Sequence, residues 1–265
     1  GGTTVAELAD KPLQDAIPIA FDAVEAGRRD FVWRDDAPAT VVWVEALDGG
    51  DPAVDVPARD RAFSLDAPFS GTPRPLLTTR NRLAGVAWGD ATLAIAEDYR
   101  WKTRTTRVYR FDPSRDNPEP QLLFEYSSED LYHRPGDFVT APNRYGRQAL
   151  LASADGRKLY LRDEGCSPEG NRPFLDEYDL ATGKTRRMWR ADGTSTYETI
   201  VRVLDAQRGT LLTRIESPTR FPNYWLREIR ARIAPRQLTS FANPFKPFEG
   251  VSKEKIRYRR ADGVD

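Results

Sequence analysis

The feature that most restricts the fold of this chain is an ordered pattern of short strand-like runs that occurs four times. Each copy carries an aromatic-bearing run, an Asp/Gly turn, an apolar run, a longer insertion, a run ending in an acidic turn and a closing run. The first copy reads FVWRDDAPATVVWVEALDGG, DRAFSLDAPFSGTP, RPLLTT, and the second LAGVAWGDATLAIAEDY, TRVYRFDPSRDNP, EPQLLFEY. The third reads RQALLASADGRKLYLRDEG, FLDEYDLATGK, TRRMWRA, and the fourth YETIVRVLDAQRGTLLTRIES, NYWLREIRARIA, PRQLTSF. Aligned on the second run, Val41, Leu93, Leu159 and Leu211 are equivalent, at spacings of 52, 66 and 52 residues.

Runs rich in Val, Ile, Leu, Tyr and Trp, broken by Gly, Pro, Asn and Asp, predict strands, and helical periodicity is scarce. Four-stranded units repeated in fixed order are the signature of propeller blades, because one such sheet cannot bury both faces without a neighbour. The expectation is an all-β chain forming a partial β-propeller of about four four-stranded antiparallel blades, over 27–80, 81–130, 145–192 and 195–242. A β-sandwich is the competing fold, but it does not predict insertions at the same internal junction of each repeat. Trp33, Trp88, Leu151 and Trp189 are expected to pack between blades.

The flanks read as interrupted architecture. TTVAELADKPLQDAIPIAF resembles a closing strand plus a connector, and KIRYRRADGVD reads as a strand over 255–260 followed by the hairpin-favouring Asp262-Gly263. The expectation is therefore a propeller portion over 1–250, cut at both ends, with 251–265 as the first strand of a further domain.

Composition narrows the function classes. Lys plus Arg and Asp plus Glu each number 40, so net charge recruits neither nucleic acid nor an anionic membrane. No run approaches the roughly 20 apolar residues that span a bilayer, and the first residues lack the basic and apolar regions of a secretory signal. One cysteine, Cys166, and one histidine, His133, leave no internal disulfide and no Cys/His metal centre, and no cofactor is expected.

Catalytic patterns are missing as well. A nucleophile elbow needs Gly-x-Ser-x-Gly, so that the next backbone N–H can line an oxyanion hole. The nearest string, GCSPEG, follows Ser167 with Pro168, which has no N–H, and its second glycine comes one residue late. His133 sits in a Pro/Gly-rich connector, and the pairs Asp35-Asp36 and Glu129-Asp130 read as turn residues. Asp48 to Asp51 is too short for a calcium loop. No residue is expected to be catalytic, and the chain alone is expected to be inactive. One cluster stands out: in DYRWKTRTTR, Arg100, Lys102, Arg104 and Arg107 crowd the junction of the second and third strands of repeat two. Strand alternation would place Arg100, Lys102 and Arg104 on one side, beside Trp101, as a patch able to hold an acidic side chain.

Together, IPIAFDAVEAGRRDFVWRDDAPATVVWVEALDGGD, SPEGNRPFLDEYDLATGKT, ESPTRFPNYWLREI and RQLTSFANPFKPFEGVSKEKIRYRRADGVD resemble the prolyl oligopeptidase family of serine peptidases, closest to its glutamyl endopeptidase-like branch. In that family a propeller covers an α/β-hydrolase domain that holds the Ser, Asp and His. The resemblance implies a propeller that gates access to that domain and helps to position peptide substrates, with Arg100, Lys102 and Arg104 as substrate-binding residues. It is compatible with a periplasmic or secreted protein. Peptide substrates are the implied partners, through the hydrolase domain; nucleic acid and membrane are not. A stand-alone propeller-like binding module is the alternative, and uncovered blade faces would invite self-association.

Overall fold

The computed structural model describes residues 3–11, 13–231, 233–248, 251, 254 and 256–263. The described residues form strands, with single-turn 3-10 helices at Gln14–Ala16, Trp101–Thr103 and Lys246–Phe248. Four four-stranded antiparallel sheets account for most of the strands.

The first sheet runs in simple order through β1 (Arg29–Trp33), β2 (Thr40–Ala46), β3 (Asp60–Asp66) and β4 (Arg74–Thr79), and the second through β5 (Arg82–Asp90), β6 (Leu93–Arg100), β7 (Thr105–Phe111) and β8 (Gln121–Ser127). The third departs from this order. Its β9 (Asp137–Phe138) is separated by a small hairpin, β10 (Thr140–Pro142) and β11 (Gln148–Leu150), from β12 (Lys158–Asp163), β13 (Phe174–Asp179) and β14 (Thr185–Arg190). The sheet order is β14-β13-β12-β9. The fourth is again simple: β15 (Tyr197–Asp205), β16 (Thr210–Ser217), β17 (Arg220–Glu228) and β18 (Arg236–Gln237). Val41, Leu93, Leu159 and Leu211 all lie in second strands, β2, β6, β12 and β16, and all are buried.

The chain divides into two compact units, Gly1–Gly165 with Leu175–Arg187, and Cys166–Phe174 with Met188–Asp265. Within the first, strand alternation sends successive residues to different interfaces. On β6, Ala94 and Ala96 join Val42, Ala62, Leu76, Leu77, Trp88 and Phe111 in a core shared by the first two sheets. Leu93 and Ile95 join Val108, Leu150, Leu159, Leu161, Tyr178 and Leu180 in a core shared by the second and third. A strand buried on both faces needs a continuous apolar run, and β2 (TVVWVEA) and β6 (LAIAEDYR) supply one.

Trp88 packs between sheets as expected, meeting Phe111 edge-on at a ring separation of 6.2 Å. Trp33 does not. It pairs with Val41 and so shares the face opposite Val42, where it is 53% exposed and flanked by Phe69. Leu151 lies outside the strands, its amide donating to the Val139 carbonyl. The third sheet also begins earlier than the repeat pattern suggests: Phe138 pairs with Leu161, Ala152 bridges to Leu159, and the 140–150 hairpin loops out between them. Pro142, lacking an N–H, and Gly146 at φ 71° shape that detour.

The second unit holds the fourth sheet, centred on buried Val203, Leu211 and Ile215. Arg227 of β17 clamps Glu198 of β15 through two bonds of 2.7 and 2.6 Å and lies over the Trp189 ring at 5.5 Å. Of the tail expected to form a strand over 255–260, Lys255 lies outside the described residues and 256–260 form no strand. A strand needs a partner for its ladder, and among the described residues none reaches this segment. The Asp262-Gly263 turn is present, with the Gly263 amide on the Arg260 carbonyl at 2.9 Å.

Candidate functional site

The residues flagged by sequence lie at one end of the first unit, where the β2–β3 loop, the β4–β5 connection and the β6–β7 hairpin converge. Charge placed at strand ends builds this region. Asp60 opens β3, Arg29 opens β1 and Arg82 opens β5, and all three are buried. Asp60 accepts from Arg29 at 2.5 Å, from Arg82 at 2.9 Å and from the Leu83 amide at 2.8 Å. Asp48 accepts from Arg59 at 2.6 Å, from Arg82 at 2.7 Å and from the Gly50 amide at 3.0 Å. Buried charges persist only when paired and hydrogen-bonded, so this network fixes the loops that supply it.

From that base the order passes outward. The Arg82 Nε donates to the Asp22 carbonyl at 2.8 Å, and the Asp22 carboxylate accepts the Trp101 amide at 2.9 Å. The Trp101 ring stacks on Phe21 at 4.1 Å. Asn81, in the β4–β5 connection, holds the Asp98 carboxylate through both its amide and its side chain, at 3.1 and 2.8 Å. Burial pushes the Asp98 carboxyl above its ordinary value, although Asn81, Tyr109 and Arg107 pull the other way.

The hairpin tip carries the predicted cations but does not align them. Residues 101–103 form a 3-10 turn and Arg104 is left-handed, at φ 55°, which breaks the alternation assumed from sequence. Arg104 lies over the Trp101 ring at 3.1 Å and pairs with Glu129 at 3.1 Å. Lys102 is exposed at the tip. Arg100 lines a cavity of about 590 Å³ with Arg80, Asp55, Val56 and Pro57. Arg107 turns to Glu125 at 2.5 Å. Arg104 and Arg107 are thus spent on local contacts, and Arg100 and Lys102 are free of ion pairs with described residues.

The groups set aside by sequence have local partners. Ser167 is half-buried and donates to the Gly170 carbonyl at 2.6 Å. His133 is 82% exposed at its side chain and pairs with Asp130 at 2.8 Å, which lowers the Asp130 pKa. Asp36 takes two bonds from Arg34, at 2.9 and 2.6 Å. Among the described residues no group of three or more His, Cys, Asp or Glu is placed to hold a metal ion, and no helix is long and apolar enough to cross a membrane. Sequence reading missed the Asp48–Asp60 network; its available signal was arginine at the first position of both β1 and β5.

No family model matches the chain. It is similar to a probable chloroplastic glutamyl endopeptidase of Oryza sativa subsp. japonica, 37% identical over 99% of this chain and 29% of the relative, and to one of Arabidopsis thaliana, 36% identical with the same coverage. Among solved structures, oligopeptidase B from Leishmania major is similar over 78% of this chain and 33% of its own, at 8% identity and a TM-score of 0.41. The chain spans less than a third of the length of the curated relatives that it matches. Over nearly all of its own length, this chain is similar to a part of proteins named as probable glutamyl endopeptidases.

Proposed function

We propose that this chain is propeller material of a longer serine peptidase, restricting access to a hydrolase domain and positioning peptide substrates for it. The observation that carries the reading is the 36–37% identity to probable glutamyl endopeptidases, held over 99% of the chain. The end of the first unit described above suits such a role, because loops from two sheets are anchored there on buried ion pairs while half-buried Arg100 and exposed Lys102 make no ion pair with described residues. In this reading 251–265 leads into the hydrolase domain, and Arg100, Lys102 and Arg104 attract or orient a substrate carboxylate. Arg104 contributes least, since Glu129 and Trp101 already occupy it.

Replacement of all three by Gln in the longer protein tests this, with kcat/KM compared for peptides carrying Glu or Gln at the cleaved position. A partly desolvated charge-assisted bond is worth about 1.5–3 kcal/mol and an exposed pair about 0–1. The expected result is a loss of about tenfold or more confined to the Glu peptide. An equal effect on both peptides, or none, would leave the hairpin with no part in substrate recognition.

A further inference from the structure

A second cavity, of about 340 Å³, opens between the second and third sheets of the first unit. Its walls include Ala84 to Ala87, Ile95, Val108, Tyr126 and Phe138, and two acidic residues line it, Glu97 of β6 and Asp137 of β9, the latter paired with Arg134. The room above the Glu97 carboxylate is written in the strand register. Glu97 stands opposite Gly85 on β5 and Val108 on β7, so the inner strand extends no side chain across it. A Cβ built on Gly85 would meet nothing within 4 Å.

Glu97 has no hydrogen-bond or ion-pair partner among the described residues, whereas its neighbours are matched. Arg134 binds Asp137 at 2.5 Å and Asp163 at 3.1 Å and also bonds to the Tyr126 hydroxyl. Its one positive charge is thus shared by two carboxylates. Burial above all, and then the Asp137 charge, push the Glu97 carboxyl above its ordinary value, against the pull of the Arg134 charge.

We propose that this cavity is a binding site for a basic side chain, the alkylammonium or guanidinium end of a lysine or arginine in a bound peptide. The Glu97 carboxylate in the wall meets the charge, the Tyr126 and Phe138 rings line the same space, and the alanine and valine wall accommodates the aliphatic stem. The volume falls at the lower end of small-ligand pockets. The assignment goes beyond the peptidase reading and does not depend on it.

The test is a titration of the 265-residue chain followed by NMR, with Nα-acetyl-lysine amide as probe and Nα-acetyl-norleucine amide as its uncharged counterpart. The lysine probe should give saturable shifts at Ala84, Glu97, Tyr126 and Phe138, with norleucine at least tenfold weaker. Glu97→Gln should weaken the lysine probe at least tenfold. Gly85→Val, which places methyl groups in the open space, should abolish binding while leaving the fold intact. No saturable shift up to roughly 50 mM, equal binding of the two probes, or lysine binding that survives both substitutions would overturn the assignment. The comparison of the two probes on the unaltered chain stands even if one variant fails to fold.

Discussion

At the residue scale the molecule turns on where charge is buried. Asp60 is fully buried and serves three donors, so removing either it or Arg82 strands a partner in the interior. Breaking one side of such a pair typically costs about 3–5 kcal/mol. Arg82→Met should therefore lower stability by that order in urea unfolding, whereas Arg208→Met, whose side chain is 86% exposed, should change it by less than about 0.5 kcal/mol. Glu97 gives the opposite sign. Its folded pKa lies above the ordinary 4.5, so the folded chain holds that proton more tightly than the unfolded chain does. Stability from this group is present below 4.5 and is lost as pH rises through the folded value. Glu97→Gln removes that dependence: the variant should gain on the parent chain as pH rises from 4 to 7, read from paired urea midpoints. A variant whose difference from the parent is independent of pH would show that Glu97 is fully solvated.

At the scale of elements, the second strands were legible and the third sheet was less so. Val41, Leu93, Leu159 and Leu211 could be placed because a strand buried on both faces must be apolar throughout, and such runs are visible without knowledge of their neighbours. The inner edge of the third sheet was not visible in this way. It is divided between Phe138 and Ala152, with a hairpin set between them, and two-residue pairings leave no periodicity to read. Trp33 illustrates the same limit: its residue type predicts burial, but only the register reveals which face it occupies. The cationic hairpin was legible as composition, while its geometry was lost to a 3-10 turn that local alternation cannot anticipate. The 140–150 hairpin also has work of its own. Arg147 donates to the carbonyls of Arg34 and Ala37, each at 2.7 Å, and Asn143 donates to that of Asp35 at 2.6 Å, tying the hairpin to the β1–β2 turn of the first sheet. Hydrogen bonds from a charged donor contribute about 1.5–3 kcal/mol each way of counting. Arg147→Ala should speed amide exchange over 140–150 and at Thr40 without changing that of Leu211; uniform acceleration across the chain would mean that the tie is global rather than local.

At the scale of the whole molecule, the second sheet buries one face against the first sheet and the other against the third, and a frame packed in this way suits a structure that excludes some substrates and admits others. The candidate face was only half readable from sequence, because the cations announce themselves while the buried Asp48–Asp60 network that anchors them emerges only when strand ends from two repeats are brought together. If this frame restricts access to a hydrolase domain, the longer protein must discriminate by substrate size and not only by the residue at the cleaved bond. The direct measurement is kcat/KM of that longer protein for a Glu-containing peptide of about ten residues against the same sequence embedded in an unfolded chain many times longer. The account predicts a preference of about tenfold or more for the short peptide, and equal rates for the two would contradict it.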